Sequence, residues 1–75
     1  MKELLEFIIE GLLGNKKFTI NEKNEGDFVN LSIKVAPEDI GLIIGKEGKI
    51  IRSIRNILRI KATLEKKGFA VNIEE

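Results

Sequence analysis

Two glycines three residues apart, Gly45 and Gly48 in the stretch IIGKEGKI, interrupt an isoleucine-rich run that otherwise favours helix. A glycine inside a helix costs roughly 1 kcal/mol relative to alanine, so a pair of them in an apolar pattern needs a reason. One reason is that a helix ends at Gly45 and another begins after Gly48. The sharper one is that a ligand must approach this backbone closely, which a loop without Cβ atoms at both ends permits.

The segments around the pair show their folds in their periodicity. After Gly48, KIIRSIRNILRIKATLEKKG is the longest periodic segment of the chain. At about 100° per residue, Lys49, Arg52, Arg55, Arg59 and Lys66 fall within about 60° of Arg52, and Ile50, Ile54, Ile57, Leu58 and Leu64 lie on the opposite half. One face is basic and the other is expected to be buried. Lys61 points into the apolar arc, where it must snorkel or sit at an edge of the core. Ile51 and Ile60 lie at opposite borders of the arc, about 100° and 80° from Arg52. Before Gly45, Ala36-Pro37-Glu38-Asp39 stops a strand and opens a short helix over about residues 37–44, with proline and acids suited to a first helical turn.

Upstream, Phe18 and Ile20 alternate with polar neighbours. After a turn at Asn24-Glu25-Gly26-Asp27, the run from Phe28 to Val35 alternates with one slip, which reads as a β-hairpin. The opening MKELLEFIIEGLLG sets Glu3, Glu6 and Glu10 on one face and Leu4, Leu5, Ile8, Ile9, Leu12 and Leu13 on the other. That is an amphipathic helix rather than a signal peptide, and Gly14-Asn15 stops it. Phe69, Val71 and Ile73 alternate in a last short strand. The order is α-β-β-α-α-β, an α+β fold, and 75 residues without linker or repeat make one domain over residues 1–75.

Cysteine and histidine are both absent, which removes disulfides, thiolate nucleophiles and the commonest general base and metal ligand. No catalytic constellation remains, so the chain reads as no enzyme, with no cofactor, metal or small-molecule substrate. A nucleotide-binding P-loop fails because GLIIGKE has three residues between its glycines where four are needed. No stretch is long enough to span a bilayer, and the acidic face of the first helix would be repelled by anionic lipid, so a cytoplasmic location is expected. The four aromatics, Phe7, Phe18, Phe28 and Phe69, all read as core, whereas RNA-recognition motifs and OB-folds need exposed rings.

The net charge of +1 hides an uneven distribution. Between residues 46 and 67, eight cations (Lys46, Lys49, Arg52, Arg55, Arg59, Lys61, Lys66 and Lys67) stand against Glu47 and Glu65. The segment therefore carries +6 and the remainder −5. Alone, a basic helix is better explained by solvation than by a polyanionic partner. The glycine pair tips the balance, since a Gly-x-x-Gly loop between helices offers free N–H groups at the positive end of the second helix. Lys46 projects from its tip, with Lys49 and Arg52 on the turn behind.

The stretch DIGLIIGKEGKIIRSIR, residues 39–55, resembles the signature of K homology (KH) domains, an aliphatic-Ile-Gly-x-x-Gly core followed by a basic, isoleucine-rich helix. The element order is that of the type II arrangement. The acidic first helix, VAPEDIG before the loop and the short length resemble most closely the KhpA family of small bacterial RNA-binding proteins, over essentially the whole chain. The resemblance implies a type II KH domain, a three-stranded sheet with helices packed on one face. It implies that Gly45, Lys46, Glu47 and Gly48 grip the backbone of about four unpaired nucleotides of single-stranded RNA, next to Lys49 and Arg52. The bases would lie in a groove between Ile40, Ile43, Ile44 and Ile51 on one side and Ala70, Val71 and Asn72 on the other, closed by Lys66, Lys67 and Gly68. These groove positions are equally compatible with ordinary core. Glu47 departs from the family pattern by setting a negative charge where phosphate arrives, which implies modest affinity at a single site.

Two function classes follow. One is an RNA chaperone or post-transcriptional regulator linked to cell elongation and division. The other is a KH-fold module acting mainly through homo- or hetero-dimerisation, with a second copy or a larger KH-containing protein as partner. For a homodimer, Ile51 beside Gly48 is the expected contact. The alternative is that Ile51 and Ile60 both close over the rim of the monomer core.

Overall fold

Strict alternation along one strand organises the molecule. The computed structural model describes residues 1–74, so Glu75, included above in the single domain, lies outside the described residues. Strand β2 (Phe28–Val35) turns Val29, Leu31, Ile33 and Val35 to one side and Asn30, Ser32 and Lys34 to the other. It is the central strand of a three-stranded sheet. Strand β1 (Phe18–Glu25) pairs with it antiparallel, from Phe18 opposite Val35 to Glu25 opposite Phe28. Strand β3 (Gly68–Glu74) pairs with it in parallel, from Phe28 opposite Gly68 to Lys34 opposite Glu74. A parallel neighbour requires a crossover. Helices α2 (Ile40–Ile44) and α3 (Lys49–Leu64) supply it.

These two helices and α1 (Lys2–Leu13) cover the apolar side of the sheet. Leu5 and Ile9 from α1, Ile43 from α2, and Ile51, Ile54 and Leu58 from α3 meet Ile20, the four β2 residues and Val71 in one core. The order α-β-β-α-α-β and the mixed sheet are those of the type II KH fold that the sequence implied. The short helix expected over residues 37–44 is in two pieces, a 3₁₀ turn at Pro37–Asp39 and then α2.

Of three expectations about burial, the first two are corrected and the third holds. The apolar arc of α3 spans roughly 180° from Ile51 to Ile60, wider than the ~100° stripe a helix usually buries against a core. The helix buries the half bearing Ile51, Ile54, Leu58 and Ala62. Ile57, Ile60 and Leu64, at 44%, 66% and 80% exposure, are left in solvent. Ile51, the expected dimer contact, is therefore core, and Ile60 is the exposed border residue. Second, two of the four aromatics are not core. Phe7 is 76% exposed because two residues of helix turn it to the side of α1 away from Leu5, and Phe28 is 41% exposed because Val29 takes the inward position. Phe18 and Phe69 are half-buried against the core. Third, Lys61 sits at the core's edge and ion-pairs with Glu65 at 3.4 Å. Both side chains are partly exposed, so the pair contributes at most a few tenths of a kcal/mol.

This arrangement fixes an order of sensitivity in α3. Leu58→Ala should lose about 2–5 kcal/mol in urea denaturation, and Ile51→Asp should abolish the folded baseline. A folded Ile51→Asp protein as stable as the wild type would contradict this packing.

Candidate nucleic-acid interface

The turn between α2 and α3 is built around one close contact. Gly45 adopts φ 74° and ψ 176°, a region essentially confined to glycine. A Cβ there would lie 2.5 Å from Ile50 Cγ1 and 2.8 Å from Ile50 Cβ. The Ile50 side chain thus packs onto the bare backbone of Gly45, holding the first turn of α3 against the end of α2. The Gly45 N–H donates to the Gly41 carbonyl at 2.9 Å and closes α2.

Lys46–Gly48 then form a single 3₁₀ turn, with Glu47 at φ 56° and Gly48 at φ 73°. Gly48 has open space around it where a Cβ would stand. The two glycines therefore have different reasons to be glycine. Gly45 makes room for Ile50, and Gly48 takes the left-handed conformation that starts α3 while leaving its surface open.

The turn itself holds two free donors. The Gly48 N–H donates to the Gly45 carbonyl at 3.2 Å, and the Lys49 N–H donates to the Lys46 carbonyl. The N–H groups of Lys46 and Glu47 donate to no backbone or side-chain acceptor among the described residues. The side chains of Lys46, Glu47, Lys49 and Arg52 are all exposed. Arg52 reaches back so that Nη2 donates to the Glu47 carbonyl at 3.4 Å. Glu47 itself forms no ion pair among the described residues.

From Arg52 the basic face continues along α3 to Arg55 and Arg59, both exposed. These two arginines, with Ala62 and Thr63, form one wall of a groove of about 540 Å³. Lys67, Gly68, Phe69, Ala70 and Val71 form the opposite wall, and Phe28 stands at its margin. Arg55 spans the groove, its Nη2 donating to the Val71 carbonyl at 3.4 Å. Lys66, left-handed at φ 56°, and Lys67 turn the chain from α3 into β3, their N–H groups donating to the Thr63 and Ala62 carbonyls at 3.1 and 2.8 Å.

The structure thus brings Lys67, Ala70 and Val71 together with α3 from Arg55 onward, and the glycine turn stands at the start of that helix, which is about 24 Å long at 1.5 Å per residue. Of the isoleucines assigned to the groove, Ile40 and Ile44 are half-buried. Ile43 has no exposed surface and Ile51 has 8%. Asn72 is exposed. The helical periodicity sets Arg55 and Arg59 on the basic face without assigning them to the groove. Their spacing of three and seven from Arg52 was the available signal. Hydrophobicity assigns Phe28 to the core, although the unbroken alternation from Val29 to Val35 places it on the other side of the sheet.

Among the described residues no cluster of three or more acidic side chains could hold a metal ion, and no helix is long and apolar enough to cross a membrane.

Comparison with known proteins gives the family. The family model described as KhpA/KhpB, KH domain matches residues 2–73. A protein of Clostridium perfringens and one of Clostridium acetobutylicum, each named RNA-binding protein KhpA, are 38% identical over 74 residues, covering 97% of this chain and 99% of each relative. The KhpA of Caldanaerobacter subterraneus is similar to the same extent. No solved structure matches the chain. With the type II order, the two-glycine turn and a match along almost the whole length, the chain belongs to the KhpA/KhpB family of KH domains, which is not a family of enzymes.

Proposed function

We propose that this chain is a sequence-tolerant binder of single-stranded RNA, built as one KH domain. The observation that carries the reading is the continuity of one surface. The glycine turn, with the unpaired N–H groups of Lys46 and Glu47, leads through Lys49 and Arg52 to Arg55 and Arg59 and into the groove beside β3. Phosphates bind the turn and the cations, and bases enter the groove, where the partly apolar wall of Phe69, Ala70 and Val71 receives them. The relatives named RNA-binding protein KhpA support the same conclusion. The role we assign, by family resemblance, is that of an RNA chaperone or post-transcriptional regulator in the bacterial cytoplasm, linked to cell elongation and division.

Replacing Lys46 and Glu47 together by aspartate makes a turn whose two side chains cancel in charge doubly negative, while touching only exposed side chains. The double variant should fold as the wild type does and bind an unstructured RNA at least about tenfold more weakly, whereas Glu47→Lys should bind more tightly. Unchanged affinity in the folded double variant would overturn the assignment of the turn.

Salt provides an independent measure. With three to five phosphates neutralised along this face, log affinity should fall against log salt with a slope of roughly −2 to −4 for a single strand. A slope near zero would mean that the cations are merely solvated.

A second reading rests on a different surface. Ile57, Ile60 and Leu64 form an exposed apolar stripe on α3, beside the basic face. We assign this stripe to pairing with a second copy of the chain, with a larger KH-containing protein as the alternative partner. Two linked sites would raise the avidity of weak individual ones for one RNA strand. Ile60→Asp should convert a sedimenting dimer to a folded monomer with weaker RNA binding. A wild-type protein that sediments as a monomer at tens of micromolar, a rough working range for weak association, would remove this reading and leave the first intact.

A further inference from the structure

The open face of the sheet is polar along almost all of its length, with Asn21, Ser32, Lys34 and Asn72 among the side chains turned away from the helices. Phe28 is the exception. It pairs with Glu25 on one side and Gly68 on the other, and its ring lies across Gly68, where a Cβ would meet Cδ1 at 2.9 Å and Cε1 at 3.2 Å. The missing side chain at residue 68 thus lets the ring pass over the backbone of β3 to the sheet edge. There it borders the same groove as Arg55, Arg59 and Lys67 while remaining 41% exposed.

An exposed aromatic ring flanked by three cations is the composition of a site that stacks a nucleobase and neutralises its phosphate. From this we infer that Phe28 is a stacking platform for an unpaired base at the end of the groove remote from the glycine turn. The inference rests on the RNA-binding reading above and extends it. About 24 Å of helix α3 separates the two ends, and Arg52, Arg55 and Arg59 mark the path between them. A strand gripped at Gly45–Gly48 continues past the groove, and a base beyond the four held near the turn lands on the ring. Because every base has a π-face, such a platform lengthens the site without narrowing its sequence preference.

Covering Gly68 is the structural role that a ring in this position also performs, since an aromatic across from an edge glycine shields its backbone. Leucine at position 28 keeps much of that cover and loses the π-face, so the two roles separate experimentally.

The test measures wild-type protein and Phe28→Leu against unstructured RNAs of four to eight nucleotides, extended one residue at a time at either end, with folding of the variant checked by thermal denaturation. Wild-type affinity should rise by roughly five- to a hundred-fold at one particular extension, the range expected for stacking one base. Phe28→Leu should lose that rise while matching the wild type on the four-nucleotide RNA. Phe28→Tyr should keep it. In the wild-type protein an abasic residue at the responsive position should abolish the rise, which tests the platform even where the leucine variant folds poorly. An identical length dependence in wild type and Phe28→Leu, or a rise that survives the abasic substitution, overturns the platform while leaving RNA binding in place. Failure of the wild type to bind any of these RNAs overturns the RNA-binding reading itself and the platform with it.

Discussion

The contact between Ile50 and the bare backbone of Gly45 holds the functional half of this molecule together. Helix α2 has only five residues, too few to stand without tertiary support. It is held by Ile43 in the core below and by Ile50 against its last turn. Any side chain at residue 45 would have to share space with Ile50, so α3 could not begin where it does. The 3₁₀ turn, its two unpaired N–H groups and the direction of the basic face all follow from that starting point. A turn this constrained is also preorganised, which spares a bound strand the entropy of ordering it.

The division of charge follows from the same placement. Helix α3 buries one side against the sheet and presents Lys49, Arg52, Arg55 and Arg59 on another, while Glu3, Glu6 and Glu10 belong to α1 on a separate element. The molecule is close to neutral overall, yet a polyanion meets it with one preferred orientation. Glu47 tempers the field at the turn. In the proposed function, the longer cationic track along α3 would compensate by spreading phosphate contacts over several residues, a pattern suited to a binder that tolerates many sequences.

Much of this was legible in the sequence because it depends on local signals. The amphipathic first helix, the hairpin, the glycine pair and the 100° spacing of the arginines each lie within a short window, and each element formed where its pattern placed it. The rest depended on choices between faces that local pattern leaves open. Helix α3 carries more apolar residues than one contact can cover, so whether Ile51 or Ile60 goes inward is decided by the sheet and α2, which the helix wheel does not contain. Phe28 is different in kind. The alternation from Val29 to Val35 held the answer, but hydrophobicity alone read the ring as core, and only the register opposite Gly68 explains why an exposed phenylalanine is stable there.

In the proposed function RNA is held at one continuous surface running from the glycine turn along α3. Backbone amide NMR during titration with an unstructured RNA tests it most directly, since each N–H reports its own surroundings. The largest shifts should fall at Gly45–Lys49 and then along Arg52, Arg55 and Arg59 to Lys67, with α1 and β1 unperturbed. Shifts concentrated on α1 around Phe7, or on the Ile57–Leu64 stripe with the glycine turn unmoved, would contradict it.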